Sequence, residues 1–129
     1  MSNSYVFGRT VALDHAKARE RVIEALGKEG FGVLTEIDVA ATLKKKLGLD
    51  VPPYRILGAC NPQFAHKALE AEPEIGTLLP CNVVVRSDNG KTRVDIMDPL
   101  AVMKLTGRAD VADIAKEVRG RLDRVLAAL

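Results

Sequence analysis

The chain has 129 residues, 47% of them hydrophobic and 28% charged. That suffices for one domain over residues 1–129 burying roughly two thirds of its unfolded surface, and excludes a disordered or disulfide-dependent chain. Nineteen basic against 17 acidic side chains leave a charge of only +2, too little to argue for a nucleic-acid partner, and no apolar run approaches the ~18 residues of a membrane span.

The opening stretch, Met1 to Tyr5, has neither the basic start nor the apolar core of a leader peptide, so a cytoplasmic setting is expected, in which the two cysteines stay reduced. Tyr5 to Val11 reads as a first strand, and Asp14 has the chemistry to cap a helix running to Glu29, with Ala18, Val22, Ala25 and Leu26 at helical spacing. Gly30 then suits a left-handed C-terminal position. Phe31 to Asp38 alternates as a second strand, with Phe31, Val33, Thr35 and Ile37 expected on one face. Asp38 caps a short helix ending at Gly48, with Leu43 and Leu47 as its apolar contacts and Lys44 to Lys46 as a solvated basic run.

Pro52 and Pro53 end that excursion, and Tyr54 to Cys60 forms a third strand with Ile56, Gly58 and Cys60 on one face. Asn61 followed by Pro62 is a helix start, Asn61 serving as the cap, for a short helix over Gln63 to Ala71. Cys81 to Arg86 and Thr92 to Met97 form a hairpin about Asn89-Gly90. Its register sets Val85 opposite Val94, Val83 opposite Ile96 and Cys81 opposite Asp98 on the core side. The other side sets Arg86 against Arg93 and Val84 against Asp95, a like-charge pairing that calls for solvent or an acidic neighbour. Asp98-Pro99 opens a helical turn, and from Asp110 an unbroken stripe of Val111, Ile114, Ala115, Val118, Leu122, Val125, Leu126 and Leu129 marks the clearest helix.

The resulting order, β-α-β-β-β-β-α, predicts an α+β fold: an antiparallel sheet of about five strands with two long helices on one face and short helical inserts. The blocks Gly30 to Asp38, Tyr54 to Pro62, Leu78 to Val85 and Asp98-Pro99, in this order, resemble the bacterial and archaeal domain of unknown function 302 family (DUF302). The resemblance spans nearly the whole chain. It implies a fold similar to the TATA-box-binding-protein-like class and a homodimer, and it carries no established reaction.

If the third strand and the strand beginning at Cys81 pair antiparallel, the two Cys-Asn pairs meet at one edge. Cys60, Asn61, Cys81 and Asn82 are therefore the candidate ligand-binding residues. Cys60 precedes a helix start, where free N–H groups and the helix dipole lower a thiol's pKa. A small buried packing role, thiol redox or sulfur chemistry with Cys81, and metal capture are its alternative readings. The long gap between the cysteines is no Cys-x-x-Cys motif, and a metal would need His66, Asp98 or a second subunit to complete four ligands. An exposed surface position is expected for His66, and His15, in the first turn of the first helix, has a still weaker functional case. No nucleophile elbow, phosphate loop or His-Glu-x-x-His motif is present, so no catalytic residue, metal site or cofactor is assigned. The expected protein is a homodimeric small binding or regulatory domain with a small-molecule ligand and neither nucleic-acid nor membrane partners; a thiol-dependent protein using Cys60 and Cys81 is the alternative.

Overall fold

Along Cys81 to Asp88 the residues alternate between buried and more exposed positions, as a strand does when one face packs on a core and the other does not. In the computed structural model, which describes residues 4–129, this strand is the centre of a five-stranded antiparallel sheet. The strands are β1 (Val6–Val11), β2 (Gly32–Asp38), β3 (Tyr54–Cys60), β4 (Cys81–Asp88) and β5 (Lys91–Met97), in the spatial order β1-β5-β4-β3-β2. The reading of Met1 to Asn3 as lacking a leader falls on residues outside those described.

The turn between β4 and β5 has Asn89 at φ 51° and Gly90 at φ 80°, the doubly left-handed backbone that an Asn-Gly hairpin favours. The resulting register places Val83 opposite Ile96, Val85 opposite Val94 and Arg86 opposite Arg93, as expected. Asp95 supplies the acidic neighbour that the arginine pair requires: its carboxylate accepts from Arg86 Nε at 3.0 Å and from Arg93 Nε at 2.9 Å. The expected pairing of Cys81 with Asp98 does not form. The ladder is recorded as far as Val83, and Asp98 turns aside, its carboxylate accepting from Leu100 N–H at 2.9 Å and from Arg119 Nη1 at 2.7 Å. Capping the next helix satisfies that carboxylate better than a place beside a thiol would.

Helices α1 (His15–Lys28) and α5 (Ala109–Ala127) lie on one face of the sheet. Val22, Leu26, Val118, Leu122 and Val125 pack with Leu57, Val83, Val85, Val94 and Ile96 in the main core. Asp14 caps α1 as predicted, accepting from Lys17 N–H at 2.8 Å. The shorter elements are α2 (Val39–Leu47), α3 (Pro62–Ala71), α4 (Pro99–Met103) and 3-10 turns over Pro73–Leu78 and Lys104–Thr106. Ala68, Ile75, Met103, Val111 and Ala115 form a second, smaller core between these inserts and α5. Among the described residues no helix is long and apolar enough to cross a membrane.

Two expected strand faces differ from those observed. In β2 a bulge between Val33 and Thr35 inserts a residue and reverses the alternation. Val33 opposite Ala59 stays on the core side, whereas Thr35 and Ile37 lie on the other face opposite Gly58 and Ile56. In β3 it is Leu57 and Ala59 that are buried in the core, not the face of Ile56 and Cys60, because Leu57 pairs with Val83 and Ala59 with Cys81. Leu47 is also not a packing residue of α2, being 65% exposed.

Glu36 shares its carboxylate between Arg19, at 2.6 Å, and Arg55, at 2.7 Å. The Arg19 hydrogen bond holds its acid group below the usual carboxylate range, with burial opposing and Arg55 adding to the effect. A carboxyl whose folded pKa is depressed stabilises the fold above its unfolded value and loses that contribution as pH falls through the folded pKa. Glu36→Gln should therefore lower the urea midpoint at neutral pH and converge with the parent below about pH 4, the range in which a free Glu protonates. In the core, Leu122→Ala should cost about 3 kcal/mol by denaturant unfolding, whereas Leu105→Ala, at a side chain 76% exposed, should stay within about 0.5 kcal/mol.

Candidate functional site

Antiparallel pairing of β3 with β4 brings Ala59 opposite Cys81, so Cys60 and Cys81 meet at one end of the sheet, as the sequence implies. Cys81 is buried and Cys60 half-buried, and both are free thiols. The chain leaves β3 at Cys60 straight into α3, and Pro80 leads into β4 beside it. Between these segments and α5 lies a cavity of about 50 Å³, with Cys60, Asn61 and Cys81 in its wall. Phe31, Phe64, Met103 and Val118 make the rest of it strongly apolar, and Ala59, Ala65, Ala68 and Ala115 leave the space open by their small size.

Asn82 belongs elsewhere. It is exposed and pairs with Gly58 on the outer face of the sheet, away from the cavity. Gly58 itself admits no side chain, since a Cβ there would collide with the Thr35 hydroxyl and come within 2.9 Å of the Pro80 ring. The β3–β4 corner thus closes over its outer side while its inner side opens on the cavity.

Asn61 occupies the N-cap position of α3 but does not cap it with its side chain, contrary to expectation. Its side chain instead turns towards Gly30, where Nδ2 lies 3.0 Å from the position a Cβ would take, and Arg121 Nη1 lies 3.5 Å from the same point. Gly30, at φ +85°, ends the turn after α1, so the missing side chain serves both the backbone and the space Asn61 fills. Asn61 is only 8% exposed, but its carboxamide atoms are not among the fully buried polar atoms left without a partner, of which the described residues show His15 Nδ1 alone. The N–H groups of Gln63 and Phe64 also precede the first bond of the helix, which Ala65 N–H donates to Asn61 O at 2.9 Å.

Two cations lie near the Phe64 ring. The Arg121 guanidinium lies 5.2 Å from the centroid of the Phe64 ring and the Lys67 ammonium 5.7 Å from it. Arg121 is held by Glu117 at 3.2 Å and by the Glu29 carbonyl at 3.0 Å.

The helix start does not activate Cys60. Burial pushes its thiol up, and Cys81 is pushed up to about 11 by burial and by the neighbouring Cys60. Burial disfavours the charged form of both sulfurs, which stay protonated at neutral pH. His66 is exposed and pairs with Glu70 at 2.9 Å. His15 lies in the first turn of α1, and its buried Nδ1 has no partner. Among the described residues no group of three or more His, Cys, Asp or Glu side chains is placed to hold a metal ion.

The family model for the domain of unknown function DUF302 matches residues 7–129. The chain belongs to the DUF302 family. A solved structure that the domain resembles is that of an uncharacterised conserved DUF302 protein from Bacillus stearothermophilus, 32% identical, covering 98% of each chain at a TM-score of 0.91. No curated protein matches. Sequence places Phe64 and Ala68 of this DUF302 domain, with Leu69, on an apolar stripe of the short helix but shows no cavity there; Leu69 is in fact exposed. The available signal was the run of small and aromatic residues, Phe64, Ala65 and Ala68, on the inward stripe of α3.

If burial controls these thiols, alkylation of the native domain should modify Cys60 before Cys81. Cys81 should react roughly a hundredfold more slowly at pH 8 than an exposed cysteine of ordinary pKa, with a rate still rising at pH 10 by mass spectrometry.

Proposed function

We propose that this DUF302 domain is a small binding module that takes a small, largely apolar molecule into the cavity between α3, α5 and the β3–β4 corner. The observation that carries the reading is the cavity itself, apolar in nearly all of its wall with Asn61 as the one carboxamide residue in it. Small-molecule sites are commonly concave, mainly apolar and fitted with a few polar groups that orient the ligand. The alternative thiol function needs a thiolate, and the raised pKa values of Cys60 and Cys81 favour binding over that chemistry.

The domain acts as a homodimer through the outer face of its sheet. Ile56 and Val84 are half-buried there, beside Asn82 and the Arg86–Asp95–Arg93 cluster. A patch bearing both charge signs around apolar residues can pair with its own copy across a two-fold axis.

Apolar probes should shift the amide resonances of Cys60, Phe64 and Ala115, and Ala65→Leu, which fills the space from α3, should abolish those shifts while leaving the melting temperature within a few degrees. Unchanged binding in Ala65→Leu would remove the cavity from the proposal. In sedimentation the domain should run at twice its 14.0 kDa mass, and Val84→Asp should return it to monomer with its circular dichroism intact.

A further inference from the structure

We infer that Cys60, Cys81 and Met103 form a sulfur-only site for a soft monovalent metal ion, Cu(I). The inference does not rest on the apolar-ligand reading above, although it uses one wall of the same cavity.

Both cysteines of the chain and one of its three methionines line this cavity. Three separate elements bring them there. Cys60 is the last residue of β3 and Cys81 the first of β4, and the register sets Cys81 opposite Ala59, the residue next to Cys60. The thiols are near enough that charge on Cys60 raises the pKa of Cys81. Met103 ends α4 and is 6% exposed. Asp98, the cap of α4, is tied to Arg119 of α5 at 2.7 Å, which fixes the helix that carries Met103.

The donor set selects the ion. No His, Asp or Glu lines the cavity, so a hard cation would find no charged oxygen there, and Zn(II), which seeks four ligands, would find too few. Thiolate and thioether sulfur are soft donors that select Cu(I), a closed-shell ion satisfied by two or three of them. A water-sized group needs on the order of 10–15 Å³, so a bare ion fits within about 50 Å³. Cys60, half-buried, gives it a way in.

The raised thiol pKa values do not oppose this step, since a coordinating metal displaces a thiol proton outright. Two Cu–S bonds form, at Cys60 and Cys81; both S–H bonds break, the two protons pass to solvent, and the Met103 thioether adds a neutral third donor. No atom changes oxidation state. The loaded site carries one negative charge where two free thiolates would carry two, which lessens the cost that burial sets on charged sulfur.

The test adds Cu(I) anaerobically to the full chain in competition with bathocuproine disulfonate, a chelator that reports Cu(I) by its colour. The domain should hold one ion, with a first shell of sulfur alone by X-ray absorption. Because both thiols are protonated at neutral pH, apparent affinity should rise about a hundredfold per pH unit between about pH 6 and 8, two protons leaving per ion. Cys60→Ala and Cys81→Ala should each weaken retention at least about a hundredfold, and Met103→Leu about tenfold. In the parent, which needs no variant to fold, one equivalent of Cu(I) should slow alkylation of Cys60 at least about tenfold. Failure to hold Cu(I) against the chelator, nitrogen or oxygen in the first shell, unslowed alkylation, or undiminished retention in any of the three variants would overturn the three-sulfur site. If apolar probes still shift Phe64 and Ala115 while Cu(I) is not held, the metal site falls and the binding reading stands; if Cu(I) is held and the probes shift nothing, the reverse is true.

Discussion

The fold depends on the phase of β4. This strand is hydrogen-bonded on both sides, to β3 and to β5, and its buried residues Cys81, Val83 and Val85 point to the helices while Asn82, Val84 and Arg86 point away. A slip of one residue would carry every one of these side chains through the sheet. It would put an arginine under α1 and three apolar groups in water. Two separate devices hold the phase: the left-handed Asn89-Gly90 turn fixes β4 against β5, and the close approach at Gly58, where Thr35 and Pro80 leave no room for a side chain, fixes it against β3. The site inherits that phase, because Cys81 faces the cavity only when Val83 faces the core.

Much of this was legible in the sequence where local chemistry and periodicity agree. The β4–β5 hairpin could be written residue by residue, since turn type and a period of two leave one register. Helix α5 was equally plain: of its expected stripe Val111, Ala115, Val118, Leu122 and Val125 are buried, and Ile114, Leu126 and Leu129 pack against the core half-buried. The antiparallel approach of Cys60 and Cys81 followed from two apolar runs joined by a short helical link. What stayed hidden was set by tertiary competition. The bulge at Val33 and Thr35 leaves no pattern in a strand whose later residues are exposed on both faces. The phase of β3 is ambiguous because Ile56, Leu57, Gly58, Ala59 and Cys60 are all small or apolar. Asp98 could have faced Cys81, but a free helix start and Arg119 were better partners.

The thiols show how magnitudes decide between two correct arguments. A helix start does favour an anion, and Cys60 does sit at one, but the effect fades within a turn and is modest beside the cost of charging a sulfur in an apolar wall. Sequence places the dipole; only the packed structure reveals the desolvation. The same packing turns the Asn61 side chain away from the cap it was expected to make, towards the space that Gly30 leaves.

The cavity is a consequence of the architecture and not an accident of one loose residue. The domain has two cores, one between the sheet and the long helices and one between α5 and the short inserts. Ile114 packs against both, and the cavity lies along their seam: Phe31, Cys81 and Val118 come from the first core, Ala68, Met103 and Ala115 from the second. Helix α3 must start where β3 ends, which fixes its amino end at the sheet edge, while its inward stripe is committed to α5 and the turn at Ile75. Closing the seam from α3 would take larger side chains at Ala65 and Ala68, and closing it from α5 a larger one at Ala115. Interiors normally fill such space to near-crystalline density. Small residues on both walls keep this one open.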